Sequence, residues 1–222
     1  MLTQGHRQSI SRIKKTGFNT SSLFLHTNYL MRQVLLALFC YACLPAVAQT
    51  ETQIREHYTS VNKQIAESIE QGYEGPLYHN QWTTNKDSRS WPAVGNYNET
   101  TDFWYDDPPD HLSAAERNPK NVLVKINITR KASHLSTNEE YLFKDGKLLF
   151  YYCQQGEEGN EWQTRAYFNS KGLMFRSSVK ANGKELTAKE LTTEEYKDFK
   201  PNGATLLMNA KKYQDLFVKS ML

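Results

Sequence analysis

The densest group of potential metal ligands and acid–base side chains in this 222-residue chain is Asp102, Asp106, Asp107, Asp110 and His111. Several carboxylates on one loop are the raw material of a Ca²⁺ site, which takes six to eight oxygen ligands. The spacing matches no Ca²⁺ loop, because Asp-x-Asp-x-Asp-Gly with a distal Glu is absent. Pro108 and Pro109 stiffen the stretch, so it reads as a solvated acidic loop. Asp106, Asp107, Asp110 and His111 are the weak metal candidates, and no metal or cofactor is expected. Cys153 with His57, His79, His111 or His134 would supply a minimal thiol nucleophile pair. Cys153 sits among Tyr and Phe residues, however, and reads as a buried inert thiol. His79 and His134 have no carboxylate at a meaningful sequence spacing and read as surface or strand-edge histidines. The chain contains no Gly-x-Ser-x-Gly, His-Glu-x-x-His, phosphate-cradling glycine loop or dinucleotide fingerprint.

Aromatic residues are the remaining chemical signal. Most must be core or edge cover, but Trp82, Trp104, Tyr105, Tyr151 and Tyr167 are candidates to line a concave sheet face and bind a ligand. The elements that would position them are legible. Thr50 to Gln71 carries Ile54, Tyr58, Val61, Ile65 and Ile69 in one helical stripe, with Thr50 and Gln53 as a capping box and Gly72 as a stop. Leu77 onward and Tyr97 to Tyr105 read as strands separated by a turn near Asn85 to Ser90. In the strand Asn121 to Arg130, strict alternation places Val122, Val124, Ile126 and Ile128 on one face and Leu123, Lys125, Asn127 and Thr129 on the other.

Two hairpins follow. The first turns at Lys144-Asp145-Gly146-Lys147 and the second at Asn169-Ser170-Lys171-Gly172. They superpose as Phe143 on Phe168, Leu148 on Leu173 and Phe150 on Phe175. Tyr141 and Phe143 share one face, as do Leu148, Phe150 and Tyr152. Leu142, Leu149, Tyr151 and Cys153 point the other way. Gln154 to Glu161, with Glu157, Glu158 and Glu161, reads as an exposed loop. Ser177 to Leu186 continues as a weaker strand with a turn at Ala181-Asn182-Gly183. Thr192 with Glu195 signals a helix ended by Pro201, and Leu206, Ala210, Tyr213 and Phe217 mark a last amphipathic helix. The expected fold is α+β: an N-terminal helix, an antiparallel meander of about six to seven strands, and C-terminal helices packed on one sheet face.

The N-terminus predicts the compartment. Met31-Arg32, an apolar run from Val34 to Pro45, and Ala46-Val47-Ala48 have the three-part form of a secretory signal. Cleavage is expected after Ala48, with residues 1–30 an upstream extension, so that Met31 competes with Met1 as the start. Domain organisation is then 1–48 for the extension and signal (31–48) and 49–222 for a single domain. A lipoprotein signal at Cys40 or Cys43 fits less well, because the preceding residues are not the usual small ones. Residues 1–48 hold five Lys or Arg and no acids, so removing them from 27 leaves 22 basic residues against 24 acidic ones, a net charge of −2. The basic balance therefore belongs to the signal, which argues against a nucleic-acid partner. One remaining cysteine, Cys153, and an Ala-Val-Ala junction fit a bacterial periplasmic or secreted protein with no stable membrane insertion after signal removal.

Leu-Tyr-x-Asn at Leu77, Trp-Pro-Ala-Val-Gly at Trp91, the Phe103-Trp104-Tyr105 run, the Val/Ile strand and Tyr-x-Phe-x-Asp-Gly-Lys-Leu from Tyr141 resemble uncharacterised exported proteins of Bacteroidetes-type bacteria, over Leu77 to Phe175. The resemblance implies compartment and fold but transfers no activity to any residue. The paired hairpins are weakly similar to MORN-like repeats. The expected function is a non-enzymatic binding module that presents an aromatic-lined antiparallel sheet to a small molecule or protein partner. Alternatives are a hydrolase-like enzyme using an acidic/His site, and an immunity-type inhibitor. An unpaired sheet edge offers a route to a homodimer.

Overall fold

The computed structural model describes residues 50–107 and 118–221. The expected signal segment, Asp110 and His111 lie outside those residues. The elements run α1 (Glu51–Gln71), β1 (Tyr78–Thr84), β2 (Ser90–Trp91), β3 (Gly95–Tyr105), the single turn α2 (Pro119–Val122), β4 (Leu123–Ala132), β5 (Leu135–Lys144), β6 (Lys147–Glu157), β7 (Asn160–Phe168), β8 (Met174–Ala181), β9 (Lys184–Glu185) and α3 (Gly203–Ser220). All strand pairs are antiparallel, in the order β1-β3-β4-β5-β6-β7-β8-β9, with β2 beside β3. The α+β meander expected from sequence is thus present. Seven strands are long and two, β2 and β9, are two-residue pairings.

Turn chemistry sets the register. Asp145 and Gly146 both have positive φ in a two-residue turn, and Glu158 and Gly159 repeat that geometry. Gln154 to Glu161 is therefore not a loop: the strands continue to Glu157 and resume at Asn160. Thr192 to Pro201 also departs from expectation. It forms two short 3-10 turns, Glu190–Thr192 and Lys197–Phe199, rather than an α-helix. Phe199 there stacks on Trp162 at 5.1 Å.

Three β-bulges at one end of the sheet reorganise the expected faces. Trp104 pairs with Lys125 and Tyr105 with Leu123, so Val124 is the extra residue. Leu142 pairs with Phe150 and Phe143 with Leu148, leaving Leu149 extra. Tyr167 pairs with Arg176 and Phe168 with Met174, leaving Phe175 extra. An extra residue breaks the period of two, so strict alternation fails on both sides of it. Leu123, Ile126 and Ile128 share a core with Leu148, Tyr151 and Cys153, while Val124, Leu149, Phe150 and Tyr152 pack in the other core. The hairpin superposition shifts by one for the same reason. Met174, not Leu173, is the counterpart of Leu148, and Leu173 is 61% exposed.

Among the described residues, each face carries one long helix. Helix α3 packs Leu206, Ala210, Tyr213 and Phe217 on the face of Phe103, Tyr141 and Phe168. It crosses the strands from Met174, close to Gly203, to Asn80, near Ser220. Helix α1 packs Ile54, Val61 and Ile65 on the opposite face with Trp104, Leu142, Phe150 and Tyr167. It runs from Arg176 of β8, which pairs with Glu51, to the segment before β1, where Ser68 Oγ accepts the Leu77 N–H at 2.9 Å. Its capping box is formed as expected. The stripe ends on Ser68 rather than Ile69, which is 70% exposed. Gly75 explains the switch, since a Cβ there would lie 2.4 Å from Ser68 Cα.

Beneath α1 sits one charged residue, Lys125, only 3% exposed. Its Nζ reaches Glu140 at 2.7 Å and Asn62 Oδ1 at 2.6 Å, and lies 4.6 Å from the Tyr58 ring centre. Burial pulls the ammonium below its ordinary range, against the opposing pull of Glu140. The Tyr58 hydroxyl donates to Glu140 at 2.7 Å, and burial together with that bond pushes it up to about 12. Removing the carboxylate leaves a buried charge without a counter-ion. Glu140→Ala is therefore expected to cost about 3 kcal/mol in urea unfolding. Adding Lys125→Met should restore most of that loss. Equal stability of the Glu140→Ala protein and the parent would contradict this role.

Candidate functional site

The five aromatic candidates do not line one concavity. Trp104 and Tyr167 lie on the α1 face, near opposite ends of that helix. Tyr105 and Tyr151 lie on the α3 face. Trp82, cross-strand from Thr101, is an exposed residue of the outer strand β1. Tyr105 is spent on packing, with ring centres 5.5 Å from Tyr78 and 5.2 Å from Phe217.

Tyr151 belongs to a closed polar network. Tyr141 and Tyr151 donate to Glu139 Oε2 at 2.8 and 3.2 Å. Arg130 donates to Glu139 at 3.1 Å and to Glu99 at 2.8 Å, and Tyr97 donates to Glu99 at 2.8 Å. Burial, reinforced by Glu139, raises both Tyr141 and Tyr151 well above the usual phenol range. Both carboxylates are engaged, so the arrangement braces the β3–β6 strands rather than awaiting a substrate.

Cys153 borders this network. Its thiol is pushed up to about 11, first by burial and then by Glu139. Among the described histidines, His57 contacts the Phe143 carbonyl, His134 pairs with Glu157 and His79 pairs with Asp102. None of these gives Cys153 a base.

The α1 face offers a more chemical arrangement. His79 and Trp104 are cross-strand partners whose rings stack at 4.2 Å and 13°. His79 Nε2 lies 2.7 Å from Asp102 Oδ1, and Gln81 Nε2 donates to the same oxygen at 2.8 Å. His79 and Trp104 border a cleft of about 500 Å³ at the C-terminal end of α1, walled also by Ile69, Leu77 and Tyr78. Trp104 is 6% exposed, and its indole N–H has no acceptor. Among the described residues, one other buried side-chain atom lacks a partner: Asn127 Oδ1, on the strand position facing Asp102. A donor and an acceptor are thus left open on neighbouring strands of one face. Such pairs are normally filled by water or by a ligand.

Sequence reasoning picked Trp104 but missed the His79–Asp102 pair. The two lie 23 residues apart, and only the β1–β3 register, set after the β2 excursion, joins them. The described acidic-loop candidates, Asp106 and Asp107, show no such convergence. Asp106 and Asp107 are exposed, with the Asp107 N–H bonded to Asp106 Oδ1. Among the described residues, no group of three His, Cys, Asp or Glu side chains is placed to hold a metal, and no helix is long and apolar enough to cross a membrane. Set against family models, curated proteins and solved structures, the chain matches none.

A folded-state thiol near 11, against an ordinary value of 9, makes stability fall as pH rises from about 9 through 11, because the unfolded chain loses that proton first. Below pH 9 the contribution is fully present. At pH 8, disulfide-exchange labelling of Cys153 is expected to be limited by unfolding, and to become immediate in denaturant. Fast labelling of the native protein would contradict the buried placement.

Proposed function

We propose that the protein is an exported, non-enzymatic binding module, released by cleavage after Ala48, that holds a small organic molecule in the cleft beside Trp104 and His79. One observation carries this reading: Trp104, whose buried indole N–H has no acceptor, walls a cleft large enough for a small molecule. Pockets of roughly 300–1,000 Å³ with apolar walls and few polar groups are the usual form of small-molecule sites. The exposed Ile69 at the rim supplies apolar contact. Trp104 supplies an unpartnered donor, and His79, oriented by Asp102, supplies a polar group of fixed orientation. The ligand class that fits is a flat, partly apolar molecule with an acceptor oxygen.

The His79–Asp102 pair also favours a hydrolase-like reading, since a carboxylate that orients an imidazole is a familiar acid–base device. It needs a nucleophile. The serine on the cleft wall, Ser68, is buried and its oxygen already accepts the Leu77 N–H. The binding reading is therefore the stronger of the two.

Native mass spectrometry of the protein purified from its own cells tests the proposal. The expected result is a reproducible extra mass, lost on denaturation and reduced about tenfold in occupancy by Trp104→Phe, the effect of losing one well-placed hydrogen bond. A parent protein that carries no extra mass, or a Trp104→Phe protein that carries the same one, rejects it.

A further inference from the structure

At the other end of α1, on the same face, a second recess has a different chemistry. Its floor is aromatic: Tyr58 meets Phe150 edge-on at 5.4 Å, and Phe150 meets Tyr167 at 4.9 Å. With Ile54 these rings enclose an apolar pocket of about 130 Å³, bordered by Arg55 and Arg165. An apolar cavity of roughly 150 Å³ accepts a benzene molecule, so this one suits a single ring. The pocket shares Arg55, Arg165 and Tyr167 with an adjoining cleft of about 260 Å³ that adds Arg176, Ser178 and Lys180.

The charges in that cleft do not balance. Four cations, Arg55, Arg165, Arg176 and Lys180, face two carboxylates, Glu51 and Glu185. Glu51 is held by Arg55 at 2.6 Å and by Arg176 at 2.8 Å. Glu185 stands opposite Lys180 in register, yet among the described residues Lys180 makes no ion pair. Among the described residues Arg165 bonds Gln163 alone, at 3.2 Å, and lies over the Tyr152 ring at 5.2 Å. Its strand partner is Ser178, so Arg176 and Lys180 flank it diagonally on the same face. Like charges so arranged repel unless an anion sits between them, and a guanidinium is suited to grip two oxygens at once.

We propose that this recess is a second binding site, for a molecule made of one apolar ring and an anionic oxygen head. The ring lies on Phe150 and Tyr167, and the head is held by Arg165 and Lys180 across Ser178. The site is independent of the Trp104 cleft, and its ligand is separate from the one proposed there.

The test is an NMR titration of the protein with phenyl phosphate and with phenylacetate, using inorganic phosphate and benzyl alcohol as the separated halves. Saturable shifts are expected at Tyr58, Phe150, Tyr167 and Arg165, with at least one of the two whole probes bound more tightly than either half. The tighter probe identifies the head as phosphate ester or carboxylate. Arg165→Gln and Lys180→Gln should each weaken that probe by about tenfold, as expected for loss of a charge-assisted bond. Trp104→Phe should leave it unchanged, and added salt should weaken it. Thermal melting of the variants should stay near that of the parent, since the substituted groups are not core. The proposal is overturned if no saturable shift appears, if whole probes bind no better than inorganic phosphate, or if the Arg165→Gln and Lys180→Gln proteins bind as the parent does.

Discussion

Neighbouring residues of a strand point to opposite faces, so a strand can be apolar at every position only where both faces are shielded from water. That constraint governs the bulged end of this sheet. Phe103 and Trp104, Tyr141 and Leu142, and Tyr167 and Phe168 are adjacent pairs in which both members are buried. One helix cannot cover both faces, and the chain supplies two, α1 and α3, which cross opposite faces at the same end. The bulges at Val124, Leu149 and Phe175 each add one residue to the α1 face, where Val124 and Leu149 join its core.

Covering the sheet in this way also creates the recesses. A straight helix laid over twisted strands meets them closely in the middle and parts from them toward its ends. The middle of α1 is sealed by Tyr58, Asn62 and the Lys125–Glu140 pair. Its two ends leave the Trp104 cleft and the Arg165 recess. On the α3 face, Arg130, Glu99, Glu139 and three tyrosines satisfy one another instead. The proposed binding sites therefore lie on the less completely finished of two faces that are equally apolar at their covered end.

Much of the fold was legible in the sequence because it rests on local signals. The Thr50–Gln53 capping box, the Asp145-Gly146 turn and the Gly172 turn each involve residues within a few positions of one another. Bulges are not local in that sense. Nothing within Leu148-Leu149-Phe150 says that Leu149 will be skipped; that follows from pairing with Leu142 and Phe143. The same bulged unit occurs at Trp104-Tyr105 against Leu123-Val124-Lys125, but the long connection between β3 and β4 hides it from a reading that looks for short hairpins. Of the site, Trp104 and Tyr167 were visible as large aromatics, while His79–Asp102 and Arg165–Ser178–Lys180 depend on cross-strand register and on which face each residue occupies. Tyr105 and Tyr151 were equally aromatic in sequence and proved to be packing residues, since residue type alone does not say which face a bulged strand will show.

We propose that ligands bind on the α1 face and not on the α3 face. A fragment screen followed by two-dimensional NMR, with the Trp104 indole N–H resolved, tests it most directly. Fragment shifts are expected to concentrate on that indole, on His79 and around Tyr167 and Arg165, with few on Tyr151, Glu139 or Cys153. Shifts concentrated on the α3 face, or an indole signal that no fragment moves, would contradict it.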